Sequence, residues 1–175
     1  MPVPPRMSLL LSLLALAPLC RAADGFEAVS CTGDVPRALV GKKFTNEADS
    51  AIEARHRNLA LKDLGGDEIS DDVFLSTWSI CGVDYLLTLR RNVVADVLKM
   101  PAHAGAEKVF DGDCKKNKAA MKGVFVGVLV DQPGTDDLTA KSAWKLDEKT
   151  GKFTSTPVDG MTCARHGIIF RDGEK

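Results

Sequence analysis

Alternation of hydrophobic and polar side chains is clearest in the middle of the chain. Residues 73–81 (VFLSTWSIC) place Phe74 and Trp78 on the same face, and a period of two with β-branched and aromatic residues predicts a strand. Residues 85–89 (YLLTL) and 93–100 (VVADVLKM) predict two further strands after short polar breaks. This close spacing predicts an antiparallel meander. The last of the three segments also fits the period of a short helix, which is the alternative for it.

A second group of strands is predicted toward the C-terminus. Residues 121–130 (MKGVFVGVLV) are apolar on both faces, which predicts a central strand covered on both sides. Residues 142–146 (SAWKL) and 152–156 (KFTST) flank a short polar loop that ends in Gly151, and this is the strongest hairpin signal in the chain. The apolar residues 168–170 (IIF) predict a last edge strand.

The best helix candidate lies nearer the N-terminus, at residues 46–57 (NEADSAIEARHR). Thr45 or Asn46 can cap it, and Glu47 and Asp49 lie in the first turn, where the helix dipole favours acidic side chains. Its apolar stripe is thin, so we expect the helix to pack through few side chains.

Glycine and proline interrupt the remaining segments. Residues 23–45 are predicted to be irregular, and residues 101–118 to form a long loop. Residues 59–64 either extend the helix or form a short strand, and Gly65-Gly66 is predicted to end whatever precedes it. Together the elements predict an α+β fold: mainly antiparallel β-sheet, a meander plus a C-terminal hairpin, with one N-terminal helix.

The first residues have the pattern of an export signal. Arg6 precedes a leucine-rich run at 8–19 (SLLLSLLALAPL), which is shorter than the roughly 20 residues that a membrane-spanning helix needs. Small residues follow, so we predict a signal peptide at 1–22 that is cleaved between Ala22 and Ala23. The alternatives are a buried N-terminal helix and lipid attachment at Cys20, although the residue before that cysteine is not small.

Composition is that of a globular protein. The chain has 175 residues, 45% hydrophobic and 27% charged, which excludes wholesale disorder and allows one domain. Cleavage leaves a single small secreted domain at 23–175, and its 153 residues carry 21 basic and 24 acidic side chains. A mildly acidic balance excludes a strongly basic nucleic-acid binder. No other apolar run is long enough to span a membrane, so the expected location is secreted or periplasmic.

Four cysteines remain after cleavage, and an even number in an exported chain predicts two disulfides. The first and third strands of the meander end at the same edge, so the predicted pairs are Cys81–Cys114 and Cys31–Cys163. The spacing from Cys163 to His166 is that of two zinc ligands. No C-x-x-C pair accompanies it, and we predict no metal site.

The histidines are the first place to look for catalysis. No G-x-S-x-G motif is present, and the four cysteines are assigned to disulfides. His56 lies in the charged helix and is expected in solvent, His166 is expected at the surface, and His103, in the predicted loop, is the better catalytic candidate. No catalytic residue is assigned, and no cofactor is predicted.

Acidic side chains cluster at residues 63–72, but without the spacing of an EF-hand loop. We expect a solvated acidic loop there, with weak calcium binding as the alternative. Asp84, Asp96 and Asp111 are available for the paired carboxylates of a glycosidase, but no sequence signal positions them. Both common phosphate-binding glycine motifs are absent.

Lysines form a basic patch in the predicted loop. Lys115, Lys116 and Lys118 lie close together, and without interleaved aromatic residues they do not predict nucleic-acid binding. Together with His103 they make up the candidate binding surface. Trp78 and Trp144, each in an alternating strand, are expected in the core.

These features predict a non-catalytic exported binding protein of inhibitor type, whose partner is an unknown protein or small ligand. The outline of a small, disulfide-bonded α+β chain resembles that of periplasmic inhibitor proteins, although none of their signature motifs is present. A protruding loop at 101–118, held by Cys114, is the predicted contact element. The alternatives are a structural envelope component and a small secreted hydrolase that uses His103 or His166.

Overall fold

The computed structural model describes residues 24–45 and 48–169. The predicted signal peptide at 1–22, its cleavage site at Ala22 and Ala23, the first two residues of the predicted helix, Asn46 and Glu47, and Phe170 lie outside the described residues. In the part of the chain that the structure describes, no helix is both long and apolar enough to cross a membrane.

Antiparallel strands dominate the described chain, and helices are short. Two α-helices and four strands come first: α1 (Val35–Leu39), α2 (Asp49–Arg55), β1 (Lys62–Ser70), β2 (Val73–Ile80), β3 (Val83–Arg90) and β4 (Val93–Lys99). Seven further strands follow: β5 (Glu107–Gly112), β6 (Cys114–Lys116), β7 (Ala119–Ala120), β8 (Phe125–Val130), β9 (Asp137–Asp147), β10 (Lys152–Thr156) and β11 (Met161–Ala164). Short 3-10 turns lie at Arg57–Leu59 and Arg165–Gly167.

The first sheet is a four-stranded meander in the order β1-β2-β3-β4. Its last two turns contain two residues each, and both residues have positive φ: 55° and 77° at Cys81 and Gly82, 50° and 63° at Arg91 and Asn92. Paired left-handed residues match the right-handed twist of the flanking strands, so these turns fix the register of the hairpins.

The second sheet has the order β5-β8-β9-β11-β6-β7, and β10 pairs with the C-terminal part of β9, beyond the part that pairs with β11. After β11 the chain returns to β5, where Ile168 pairs with Phe110 and the Ile169 N–H donates to the Val109 carbonyl at 2.9 Å. This return covers the outer edge of β5 and curls the sheet around its own core.

Three hydrophobic clusters hold these layers together. Residues 24–45 and α2 pack on the outer face of the first sheet, around Trp78 and Ile80. The two sheets meet at a shared cluster that includes Leu75, Leu86 and Val126. The second sheet encloses a third cluster, around Phe110 and Phe125.

The predicted fold class is confirmed: the protein is mostly antiparallel sheet with few helices and two disulfides. The meander, the strand at 93–100 and the hairpin of β9 and β10 form as predicted. The predicted central strand is β8, which contributes Phe125 and Leu129 to one cluster and Val126 and Val128 to another. Alternation or full burial identifies each of these strands in the sequence.

Several other predictions of local structure are wrong. Gly65 and Gly66 lie inside β1 rather than ending an element. A Cβ at Gly66 would lie 2.3 Å from the Leu75 carbonyl oxygen, so the close approach of β2 requires glycine there. The predicted loop at 101–118 contains β5 and β6, and α1 interrupts the segment predicted to be irregular. The short strands carry too few apolar residues for alternation to show.

The predicted disulfide pairs are also wrong. Cys31 bonds to Cys81, with Cα atoms 5.5 Å apart, and Cys114 bonds to Cys163, with Cα atoms 4.0 Å apart. The prediction assumed that Cys114 stays near the edge of the meander. Instead, the chain crosses to the second sheet after β4 and carries Cys114 into β6, directly opposite Cys163 in β11.

Candidate binding surfaces

Residues 114–121, which we call the basic hairpin, form the edge of the second sheet. The hairpin contains β6, a two-residue turn and β7, with Lys115↔Ala120 and Lys116↔Ala119 as its ladder pairs. Every residue from Lys115 to Ala120 is exposed. A run of this length with no buried residue contributes little to a core, so its side chains are free to meet a partner.

Covalent and backbone bonds fix the base of the basic hairpin. Cys114 is 2% exposed and bonds to Cys163 on the neighbouring strand. The Met121 N–H donates to the Cys114 carbonyl at 2.9 Å and closes the hairpin. The exposed segment is therefore held at a buried, cross-linked point.

The tip of the basic hairpin is also held. Asn117 and Lys118 have φ angles of 50° and 69°, the left-handed pair that a tight hairpin needs. The Asn117 N–H donates to the Gly160 carbonyl at 2.9 Å, which ties the tip to the loop before β11. Gly160 has a φ of 67°, in the left-handed region that favours glycine.

Positive charge dominates this surface. Lys115 donates to Asp137 Oδ2 at 2.8 Å, across two side chains that are both about half exposed. Within the described residues, Lys116 and Lys118 take part in no ion pair. Lys122 follows the hairpin and lines a shallow depression with Lys145 and Lys149, whose wall also includes Asp147 and Glu148.

His103, the fourth residue of the predicted binding surface, lies elsewhere. It precedes β5, whereas the lysines follow the opposite end of that strand. Residues 101–118 therefore do not form one loop, and the predicted surface divides into two separate places.

His103 forms an ion pair with a buried carboxylate. Its Nε2 lies 3.0 Å from Asp84 Oδ2, and the side chains are 12% and 1% exposed. Its Nδ1 lies 2.9 Å from the Pro101 carbonyl oxygen. Both ring nitrogens thus face acceptor oxygens.

Cavities lie on both sides of this pair. One of about 250 Å³ is lined by apolar Leu64, Val109 and Ile169 and by polar Glu107 and Lys108, besides the pair itself. The other, more open and of about 570 Å³, has Lys99 and Met100 in its wall. Asp84 and His103 line both cavities and form the partition between them.

The prediction that His56 lies in solvent is wrong. The residue is 9% exposed and binds a buried aspartate. Its Nε2 lies 2.9 Å from both carboxylate oxygens of Asp24, and Arg55 donates to the same carboxylate. Burial alone would raise the pKa of Asp24, but hydrogen bonds from His56 and from the Phe26 N–H, with the nearby charge, lower it below its usual value. This cluster anchors the N-terminal segment to α2.

Two acidic side chains meet between the sheets. Asp67 of β1 and Asp111 of β5 share a hydrogen bond, and burial together with the Asp67 charge raises the pKa of Asp111 to about 6. Protonation of Asp111 removes the repulsion between the two carboxyl groups. The acidic segment that the sequence predicts as a loop is largely strand β1, in which Asp67 and Glu68 are exposed.

The remaining candidates contribute no site. His166 is exposed on a 3-10 turn, and Cys163 is bonded to Cys114, so the proposed zinc-ligand spacing is not used. Among the described residues, no group of three or more His, Cys, Asp or Glu side chains could hold a metal ion. Trp78 is 2% exposed and packs in the core as expected, whereas Trp144 is only partly buried.

Sequence reasoning missed the buried carboxylate of Asp24, and it named Asp84 only as an available carboxylate, without connecting it to His103. Asp84 starts a strand after a tight turn, and Asp24 lies in a segment without periodicity. Their histidine partners are 32 and 19 residues away along the chain, so no local spacing connects them.

Comparison with known proteins adds no relationship. No model of a known protein family matches the chain, and neither the search of curated proteins nor the search of solved structures gave a match.

Proposed function

We propose that this chain is an exported, non-catalytic binding protein of inhibitor type that contacts an acidic surface of a partner protein through the basic hairpin. One observation carries the proposal: an entirely exposed lysine-bearing segment is held at its base by a buried disulfide. A contact element with this construction needs little reordering when it binds.

Rigidity supports a binding role for the hairpin. Ordering a flexible loop costs roughly 0.5–1.5 kcal/mol for each immobilised side chain, and a preformed hairpin avoids much of that cost. The disulfide, the closing bond from Met121 and the tie to Gly160 are all in place in the free protein.

Charge supports an acidic partner. Lys116, Lys118 and the nearby Lys122 are exposed, on a chain whose formal net charge is only −1. Such a local positive patch steers association with a negative surface and makes it sensitive to salt. No aromatic residue occurs within the hairpin, so we propose a protein partner rather than a nucleic acid.

The disulfides support the proposed location. Two disulfides are typical of a non-reducing, extracellular-type environment. With the predicted signal peptide, we propose a secreted or periplasmic protein. A structural envelope component is the alternative, and it would be distinguished by a constitutive association that charge reversal leaves intact.

A hydrolase based on His103 has less support. Both ring nitrogens of His103 already face acceptors. Among the described residues that line the smaller cavity beside it, none carries a hydroxyl or thiol group that could act as nucleophile.

The test is charge reversal with a matched control. Mature wild type, Lys116→Glu/Lys118→Glu and Lys42→Glu/Lys43→Glu would be used to capture partners from extracts of the source cells, with quantitative mass spectrometry as the readout. Both double variants change net charge equally, at exposed lysines. We expect one acidic protein captured by wild type and by the control, and reduced about tenfold or more by the hairpin variant. Equal capture by all three forms would contradict the proposal.

A further inference from the structure

The two disulfides differ in how far their sulfur-bearing residues are shielded from solvent. Cys114 and Cys163 are 2% and 1% exposed and pack in the core of the second sheet. Cys31 is exposed, and Cys81 is partly buried at the edge of the first sheet's core. Because thiol exchange requires that the attacking thiolate reach a sulfur atom, the two bonds differ in their access to reductants.

Cys31 lies in the middle of an exposed loop. Residues 30–34 (SCTGD) are all exposed, and the loop begins after buried Val29 and ends before buried Val35. The Gly33 N–H donates to the Ser30 carbonyl at 3.0 Å, a contact within the loop itself. The bond from Cys31 to Cys81 is the covalent tie between this loop and the first sheet.

Other contacts hold the N-terminal segment on both sides of the loop. Before it, Asp24 binds side chains at the end of α2, and the rings of Phe26 and Trp78 lie 5.1 Å apart between centroids. After it, the Gly41 N–H donates to the Val94 carbonyl at 2.9 Å. Breaking the Cys31–Cys81 bond therefore frees the loop and leaves the segment docked on the sheet.

We propose that the Cys31–Cys81 disulfide is a modification site for an external dithiol reductant, with Cys31 as the residue whose sulfur is attacked. The site is separate from the basic hairpin, and it does not depend on the proposed function. Cys114–Cys163, which holds the base of that hairpin, stays intact.

The exchange proceeds in two steps. A thiolate of the reductant attacks Cys31 Sγ, the S–S bond of the protein breaks, and Cys81 leaves as a thiolate. The second thiolate of the reductant then attacks the mixed disulfide and releases Cys31. The reductant becomes a disulfide, its two electrons pass to the protein, and its two thiol protons end on Cys31 and Cys81.

The free Cys31 thiol has an acceptor nearby. Its Sγ lies 3.9 Å from the Asn58 carbonyl oxygen, within the range of a hydrogen bond that involves sulfur. Reduction is therefore expected to open residues 30–34 locally and reversibly, without unfolding the chain.

A reduction time course tests the proposal on the oxidised mature protein. Samples treated with dithiothreitol under native conditions would be quenched with acid and alkylated, and peptide mass spectrometry would give a rate for each disulfide. Cys114–Cys163 is the matched control within the same molecule. We expect Cys31–Cys81 to be reduced about tenfold or more faster, because its sulfur atoms are accessible.

The same time course in urea separates access from intrinsic reactivity. In the unfolded chain both disulfides meet solvent, so their rates should agree within roughly threefold. Equal rates in the folded protein, faster reduction of Cys114–Cys163, or a preference that persists in urea would overturn the proposal.

The monothiol glutathione tests which sulfur is attacked. With rapid alkylation of the thiolate that leaves, we expect the glutathione adduct on Cys31 and the alkyl group on Cys81. An adduct found mainly on Cys81 would overturn the assignment of Cys31.

Amide chemical shifts test the local opening. Wild type reduced at Cys31–Cys81, and Cys31→Ser/Cys81→Ser as its stable counterpart, should show changes at residues 29–35 and 80–83 and unchanged shifts in the second sheet. Reduced wild type decides the matter if the serine variant does not fold. Loss of shift dispersion throughout reduced wild type would contradict a local opening.

Discussion

Burial acts on Asp24 and Asp111 in the same direction, but their partners act in opposite directions. Asp24 contacts the positive side chain of Arg55 and the ring of His56, so its pKa is lowered despite burial. Asp111 contacts a second carboxyl group, Asp67, so burial and partner together raise its pKa to about 6. The first arrangement stabilises the charged form and the second stabilises the neutral form.

The Asp111 pair predicts a pH dependence of stability. The folded pKa of Asp111 is about 6, above the ordinary 3.8, so the folded state binds the proton more tightly than the unfolded state. Proton binding at Asp111 therefore contributes about 3 kcal/mol to the free energy of unfolding. This contribution is fully present below about pH 4 and is lost as pH rises through 6. Urea unfolding of wild type and Asp111→Asn at several pH values would measure it as the difference between the two.

The difference in the free energy of unfolding between wild type and Asp111→Asn should change as pH rises from about 4 through 6, and it should become constant above about pH 7. Asp67→Asn should reduce the effect without abolishing it, because burial, the larger cause, remains. A difference between wild type and Asp111→Asn that stays constant from pH 4 to 7 would contradict this account.

Asp24 predicts a pH dependence of stability with the opposite sign to that of Asp111. Asp24→Asn removes a buried negative charge that Arg55 and His56 contact, and we expect a loss of about 3 kcal/mol in the free energy of unfolding near neutral pH. Since the folded pKa of Asp24 is lowered, this stabilisation is present above about pH 4 and fades as pH falls further.

Chemical denaturation at neutral and acidic pH would measure the Asp24 effect. Asp72→Asn serves as the matched control, since the Asp72 side chain is 51% exposed in its pair with Arg91, and it should change stability by less than about 1 kcal/mol. Similar losses in the two variants would show that the Asp24 cluster does not anchor the N-terminal segment.

At the level of elements, each disulfide joins different layers or strands. Cys31–Cys81 holds the N-terminal segment on the first sheet, and Cys114–Cys163 links neighbouring strands of the second. Peptide mapping of oxidised, unreduced protein should therefore recover only these two pairs. Recovery of Cys81–Cys114 or Cys31–Cys163 would contradict the crossing of the chain between the sheets.

The same elements show what a sequence pattern can reveal. Strands β2, β3, β8 and β9 are long and alternate or are buried on both faces, so they were predictable from local periodicity. Strands β6 and β7 have only three and two residues, and β5 and β6 also pair with strands that come later in the chain, β8 and β11. The wrong disulfide pairs follow from these missed strands, since they decide where Cys114 lies.

The candidate surfaces were only partly predictable for a related reason. Lysine clustering in sequence identified the residues of the basic hairpin, because a hairpin keeps neighbours in sequence together in space. His103 and Asp84 were each named as candidates, but their pairing was not predicted, since that contact depends on how the folded chain brings the two residues together. Residues that cluster in sequence stay close together in a folded hairpin, whereas contacts between the sheets depend on the packing of the whole molecule.

On the scale of the whole molecule, the sheets hold the basic hairpin and the His103–Asp84 pair at separate places. The shared cluster of Leu75, Leu86 and Val126 joins the sheets. The β9–β10 turn adds polar contacts between them, including Thr88 Oγ1 donating to the Gly151 carbonyl at 2.5 Å. A rigid body of this kind can present a fixed basic hairpin to a partner.

Site-specific photo-crosslinking in the source cells tests the central claim most directly. A photoreactive amino acid would replace Lys118 at the hairpin tip or, as the control, exposed Lys42. The account predicts one dominant protein adduct from position 118, weakened by an added Lys116→Glu, and no such adduct from position 42. The same adduct from both positions, or none from position 118, would contradict it.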